Sequence, residues 1–203
     1  MRDKGELSGF VENLFKGLNK NNISYLVMRN FSSLPEIIGN DIDILIDEKS
    51  KHCLLKILKN IALESNSVLI SYNKISYNQH YAAIVIKDKG KFACGILHLD
   101  IKYSVFVHPF DLEPASRVIN RSEKRLFNNI YIPSEVEELY LLVLHNLFGS
   151  AYKKEVYYEV LHNLANKKDV YSKALANLSR WFGKKLSCDM LDLVLKKDFA
   201  GFK

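Results

Sequence analysis

The stretch Gly39-Asn40-Asp41-Ile42-Asp43-Ile44-Leu45-Ile46-Asp47 constrains the fold of this chain more than any other. Its centre is β-branched and apolar, and a strand points successive side chains to opposite faces. Asp41, Asp43 and Leu45 therefore share one face, and Ile42, Ile44 and Ile46 share the other. The isoleucine face demands a hydrophobic layer beneath it. On the opposite face two neighbouring carboxylates repel each other unless a cation offsets their charge, and hard oxygen donors of this kind suit Mg2+ or Mn2+. A third acid, Asp100, lies in a second alternating run, Gly95-Ile96-Leu97-His98-Leu99-Asp100-Ile101-Lys102-Tyr103. If the two strands are neighbours, three carboxylates converge on one or two divalent ions.

The rest of the chain supplies layers for such a strand. Leu7, Phe10, Val11, Leu14, Phe15 and Leu18 recur at helical spacing and predict an amphipathic helix over residues 5–20. A β-rich run at 23–28 leads into a polar turn at 29–35, and an apolar stripe predicts a helix over 48–65. Strands are expected at 68–75, 80–87 and 92–105, the last two joined as a hairpin by Asp88-Lys89-Gly90-Lys91. Residues 106–125, with Pro109 and Pro114, read as loop, and 128–133 as a short apolar link. Ser134 with Glu137 three residues on is a capping-box pattern, and helical periodicity follows over 134–148, 152–166, 169–182 and 187–197. The expectation is an α+β protein: a small mixed or antiparallel sheet flanked by helices in residues 1–130, then a helical region over 131–203.

Charge and cysteine usage narrow the partners. A formal charge of +6 suits an anionic ligand such as a nucleotide, while lysines scattered singly and in pairs argue for a solvated surface over a nucleic-acid footprint. Cys53, Cys94 and Cys188 are odd in number and widely spaced, with no C-x-x-C pair, so neither a disulfide framework nor a zinc knuckle is indicated and a reducing compartment is expected. Glu6 and Glu12 interrupt the first apolar segment, and no run reaches the roughly 20 apolar residues a bilayer span needs. A cytoplasmic protein is expected.

Asp-x-Asp alone is also what a solvated sheet face looks like. Three features favour chemistry: a Gly39-Asn40 turn that lets backbone approach a ligand, a strand and polar turn about 12 residues upstream, and a third acid on a later strand. In this order the motifs resemble the nucleotidyltransferase superfamily built on the DNA polymerase β-like fold. The resemblance covers about residues 20–105, with Asp41-Ile42-Asp43 as the acidic triplet and Asp100 as the third acid. More narrowly, Met28-Arg29-Asn30, Leu34-Pro35 and Gly39-Asn40-Asp41-Ile42-Asp43 are similar to nucleotidyltransferase-like proteins encoded near bacterial surface-polysaccharide genes.

The resemblance implies metal-dependent transfer of a nucleoside monophosphate, from ATP or another nucleoside triphosphate, to a hydroxyl on a small molecule or a protein. It implies Asp41, Asp43 and Asp100 as catalytic metal ligands, with Asp100 also positioning or deprotonating the acceptor. Arg29-Asn30 stands where active members carry Gly-Ser or Gly-Gly, so phosphate contacts fall to Arg29, to the hydroxyls of Ser32 or Ser33, to Gly39-Asn40 and to Lys102. That departure leaves open a non-catalytic module binding a nucleotide or a partner, and small superfamily members that nucleotidylate proteins add a toxin-antitoxin alternative. His98 shares the face of Asp100 and is read as a half-buried strand residue. Asp47 and the helically spaced Arg117, Arg121 and Arg125 are read as solvated, and His145, near Tyr152 and Lys153, as a core histidine.

Overall fold

The computed structural model describes residues 4–37, 39, 41–88, 91–107, 110–122, 125–148 and 157–198. The chain divides into two compact units, Met1–Val105 with Glu113–Ile132, and Phe106–Leu112 with Pro133–Lys203. The first is built on a five-stranded sheet of β1 (Tyr25–Val27), β2 (Ile42–Ile46), β3 (Val68–Ser76), β4 (Gln79–Asp88) and β5 (Lys91–Lys102), in spatial order β1-β2-β5-β4-β3. The β2–β5 pairing is parallel and the other three are antiparallel. This is the α+β class expected.

The alternation along β2 does what its residues dictate. Ile42, Ile44 and Ile46 join Leu97, Leu99 and Ile101 in one hydrophobic cluster, covered by Phe10, Leu14 and Phe15 of α1 (Lys4–Lys20) and by Leu54, Leu58 and Ile61 of α2 (Lys51–Glu64). The two helices approach closely at Gly17, where an added Cβ would lie 2.6 Å from the Ile61 side chain. Leu26 and Leu45, a cross-strand pair, are buried outside that cluster.

Three expectations are corrected. The single strand expected over 92–105 is two, β5 and β6 (Ser104–Val107). They part at Tyr103, whose N–H donates to the Asn78 carbonyl and whose carbonyl accepts from Ala115, both at 2.9 Å. The loop expected over 106–125 contains β7 (Phe110–Pro114), paired with β6, and α3 (Ala115–Arg121). Pro114 caps that helix in extended conformation, φ −64° and ψ 146°, where its missing N–H costs nothing. α3 buries Ala115, Val118 and Ile119 and packs against β1 and β2. The link at 128–133 belongs to a hairpin of β8 (Arg125–Phe127) and β9 (Ile130–Ile132), turned by Asn128 and Asn129 with φ of 48° and 63°. Two successive left-handed residues make the tight turn that suits strand twist, and asparagine tolerates that conformation.

The second unit contains α4 (Glu135–Phe148), α5 (Tyr158–Ala165), α6 (Lys168–Phe182) and α7 (Lys184–Leu195), with α6 packed on both α4 and α7. The Ser134 hydroxyl accepts from the Glu137 N–H at 3.4 Å, while the buried Glu137 carboxylate accepts from Asn177 of α6 at 2.9 Å. The first residues of the helix expected at 152–166 lie outside the described residues. Among the described residues no helix is long and apolar enough to cross a membrane.

Candidate active site

Parallel pairing of β2 with β5 sets Asp43 directly opposite Asp100. Directly paired residues on neighbouring strands point to the same side of a sheet, and Asp41, two residues before Asp43, joins them there. One oxygen from each of the three carboxylates lies within 4.8 Å of the others. Asp43 is buried, while Asp41 and Asp100 are half-exposed. No other trio of His, Cys, Asp or Glu among the described residues converges in this way. Three hard oxygen donors around one point fit a divalent cation.

Two cations already press on the buried acid. Lys102, next on the Asp100 face, places Nζ 2.8 Å from Asp43 Oδ1 and 3.0 Å from Asp100 Oδ2. Arg29 donates from Nε to Asp43 Oδ2 at 2.6 Å, with Nη2 2.5 Å from the same oxygen. The Met28 N–H donates to the Asp43 carbonyl at 3.0 Å, extending the β1–β2 ladder by one residue and delivering Arg29 beside its partner. Burial pushes the Asp43 carboxyl toward neutrality, but Lys102 and Arg29 outweigh it and hold the group below the ordinary carboxylate range. Burial likewise opposes the Lys102 charge, and Asp43 with Asp100 overcomes it, so the ammonium holds its proton more tightly than usual. Asp100 is further fixed by Gln79, whose Nε2 donates to Oδ1 at 2.6 Å.

Around this knot the sequence candidates separate. Asn30 adopts a left-handed conformation, φ 58° and ψ 20°, which asparagine tolerates better than most residues. Ser33 Oγ lies 3.2 Å from the Asn30 carbonyl and 3.1 Å from that of Ile37, so it braces the loop, whereas Ser32 is exposed. Gly39 is exposed outside the left-handed region and has open space where a Cβ would stand, so nothing at that residue demands glycine. Asn40 lies outside the described residues. His98 is half-buried and its Nδ1 meets the Tyr81 hydroxyl. Asp47 accepts from the Lys49 N–H at 3.0 Å, capping the turn after β2. Arg117 and Arg125 are exposed, but Arg121 is not merely solvated: it grips the buried Glu113 carboxylate with two bonds of 2.7 and 2.8 Å. His145 packs edge-on against Tyr157, and Tyr152 and Lys153 fall outside the described residues.

Gln79 and Tyr81 escaped the sequence reading because their place depends on strand register. Counting back from the Asp88–Lys91 pair sets Tyr81 opposite His98, but an irregularity between Ile86 and Asp88 shifts Tyr81 to Asp100 and Gln79 to Lys102.

No family model matches the chain, and no curated protein does. Among solved structures it is similar to the antibiotic-resistance factor ANT(2'')-Ia, at 8% identity and a TM-score of 0.45, over 100% of this chain and 95% of that one. It is also similar to JHP933 from Helicobacter pylori, at 13% identity and a TM-score of 0.37, over 97% and 94% of the two chains.

Proposed function

We propose that this protein is a divalent-metal-dependent nucleotidyltransferase that moves a nucleoside monophosphate from a nucleoside triphosphate to a hydroxyl acceptor. The observation that carries the reading is the convergence of Asp41, Asp43 and Asp100 from two parallel strands, with oxygens within 4.8 Å of one another. The three carboxylates would hold Mg2+ or Mn2+, which when bound supplies charge neutralisation to the phosphate oxygens. Arg29 and Lys102 stand beside the acids with donors suited to phosphate, and Asp100 orients the acceptor hydroxyl. Asp100 accepts the proton of the acceptor hydroxyl, whose oxygen forms its bond to the α-phosphorus as the bond to the oxygen bridging to the β-phosphate breaks, and pyrophosphate leaves. The acceptor's place in surface-polysaccharide metabolism is part of the same proposal, resting on the resemblance of the motif.

Asp41→Asn is the sharpest test, because Asp41 is half-exposed and its loss leaves the Asp43 ion pairs standing. Metal-dependent pyrophosphate release should fall by at least about a hundredfold, with the fold intact by circular dichroism. An unchanged rate would refute the assignment.

The engagement of both Asp43 oxygens by Arg29 and Lys102 favours a second reading, a non-catalytic module that binds a nucleotide or a partner on the same scaffold. Calorimetry with each nucleoside triphosphate and Mg2+, alongside a pyrophosphate assay, separates the two: binding without turnover selects the module.

A further inference from the structure

The ion pairs around Asp43 do more than balance charge. Its side chain is 2% exposed, and those of its two partners are 12% for Arg29 and 15% for Lys102. All three groups are largely removed from water, and Asp43 engages both cations. A buried charge separated from its partner is far costlier than a solvated one. Three acids, one guanidinium and one ammonium leave this cluster with a single net negative charge. A fully ionised nucleoside triphosphate accompanied by two dications adds no net charge to it, and inorganic tripolyphosphate with the same two ions adds only one negative charge. Either component alone disturbs it, since a dication arriving by itself must compete with two cations for both oxygens of Asp43. A triphosphate arriving by itself meets three carboxylates.

We infer that Arg29 and Lys102 form an exchange lock: they hold Asp43 when the site is without ligand and transfer to phosphate oxygens only when cation and polyphosphate enter together. The inference rests on the nucleotidyltransferase reading and deepens it, making joint occupancy a built-in condition for a competent site. Lys102 has the geometry for the exchange, because it already spans Asp43 and Asp100 and needs to give up only one of them to reach outward. Arg29 follows β1 at the edge of the polar loop, and its planar fork suits phosphate as well as carboxylate. The chemistry selects a polyphosphate with bound divalent metal over a free phosphate monoester, which carries less charge and cannot chelate a dication through adjacent phosphate groups.

The test is calorimetric and needs no turnover. The protein is titrated with Mn2+ alone, with inorganic tripolyphosphate alone, and with their preformed complex. Wild type should bind the complex at least about tenfold more tightly than either component. Lys102→Met should bind Mn2+ alone about tenfold or more tightly than wild type, because a competing cation is gone, and should bind tripolyphosphate more weakly. Arg29→Gln should shift both affinities in the same directions, which keeps the test alive if the Lys102 variant does not fold. Equal wild-type affinity for Mn2+ alone and for the complex, or unchanged Mn2+ affinity in a folded variant, overturns the lock while leaving a metal and phosphate site in place. Failure of wild type to bind the complex at all removes both the lock and the nucleotidyltransferase reading.

Discussion

Asp43→Asn is the most informative stability experiment on this fold. The substitution keeps the side-chain volume and removes one charge, taking the Asp43 anion from Arg29 and leaving Lys102 with Asp100 at 3.0 Å. Deleting one partner of a buried ion pair costs about 3–5 kcal/mol, and the contact that Lys102 retains sets the expectation at the lower end, about 3 kcal/mol. For a chain of this size that corresponds to a fall in Tm of roughly 6–12 °C. Adding Lys102→Met removes the stranded ammonium and should recover about 1 kcal/mol or more, a coupling visible in a double-mutant cycle. The pH dependence follows from the depressed pKa of Asp43. Its stabilising charge is fully present above the unfolded carboxyl value of about 3.9 and is lost as pH falls through the lower folded value. The gap between wild type and variant should therefore stay constant near neutrality and narrow in strong acid. Thermal and urea melts followed by circular dichroism measure both. A cost below about 1 kcal/mol at neutral pH would refute the buried knot, because a solvated ion pair is worth no more.

Three further outcomes test the surrounding architecture. Arg121→Met should destabilise by about 2–4 kcal/mol in a urea melt, since it takes two charged hydrogen bonds from the buried Glu113 carboxylate, whereas Arg117→Met on the exposed side of the same helix should change stability by less than about 0.5 kcal/mol. Gly17→Ala should lower Tm despite alanine's helix propensity, because its Cβ would crowd Ile61 at a cost of about 1–3 kcal/mol, and Ile61→Val in the same chain should restore part of the loss. Asn30→Gly should be neutral or stabilising by up to about 1 kcal/mol and Asn30→Ala destabilising, as the left-handed backbone at φ 58° requires; equal effects in thermal melts would contradict that conformation.

Much of the fold is legible because its signals are local. The isoleucine alternation of β2, the apolar stripes of α1 and α2 and the capping serine of α4 each state their environment within a few residues. The segment after residue 105 is harder to read because prolines commonly mark loops, whereas Pro114 both ends β7 and opens α3. The Asn128-Asn129 pair between β8 and β9 carries a local hairpin signal, since both residues hold left-handed backbone. Arg29 and Lys102 were visible as candidates, but as contacts for phosphate. Their engagement with Asp43 joins residues 14 and 59 positions away, and no local pattern encodes such a meeting. The bulge that sets Gln79 and Tyr81 beside the acids is equally silent in sequence.

The parallel seam between β2 and β5 also has a kinetic meaning. Lys102 and Asp43 cannot meet until the 59-residue span between them has closed, with α2, β3 and β4 inside it. Loop-closure entropy opposes that step, and only the completed seam offsets it. The acids and their counter-cations are therefore assembled late, and no fragment ending before β5 contains the cluster. Cation binding during refolding should consequently lag behind the recovery of helical signal, a clock for closure of the sheet.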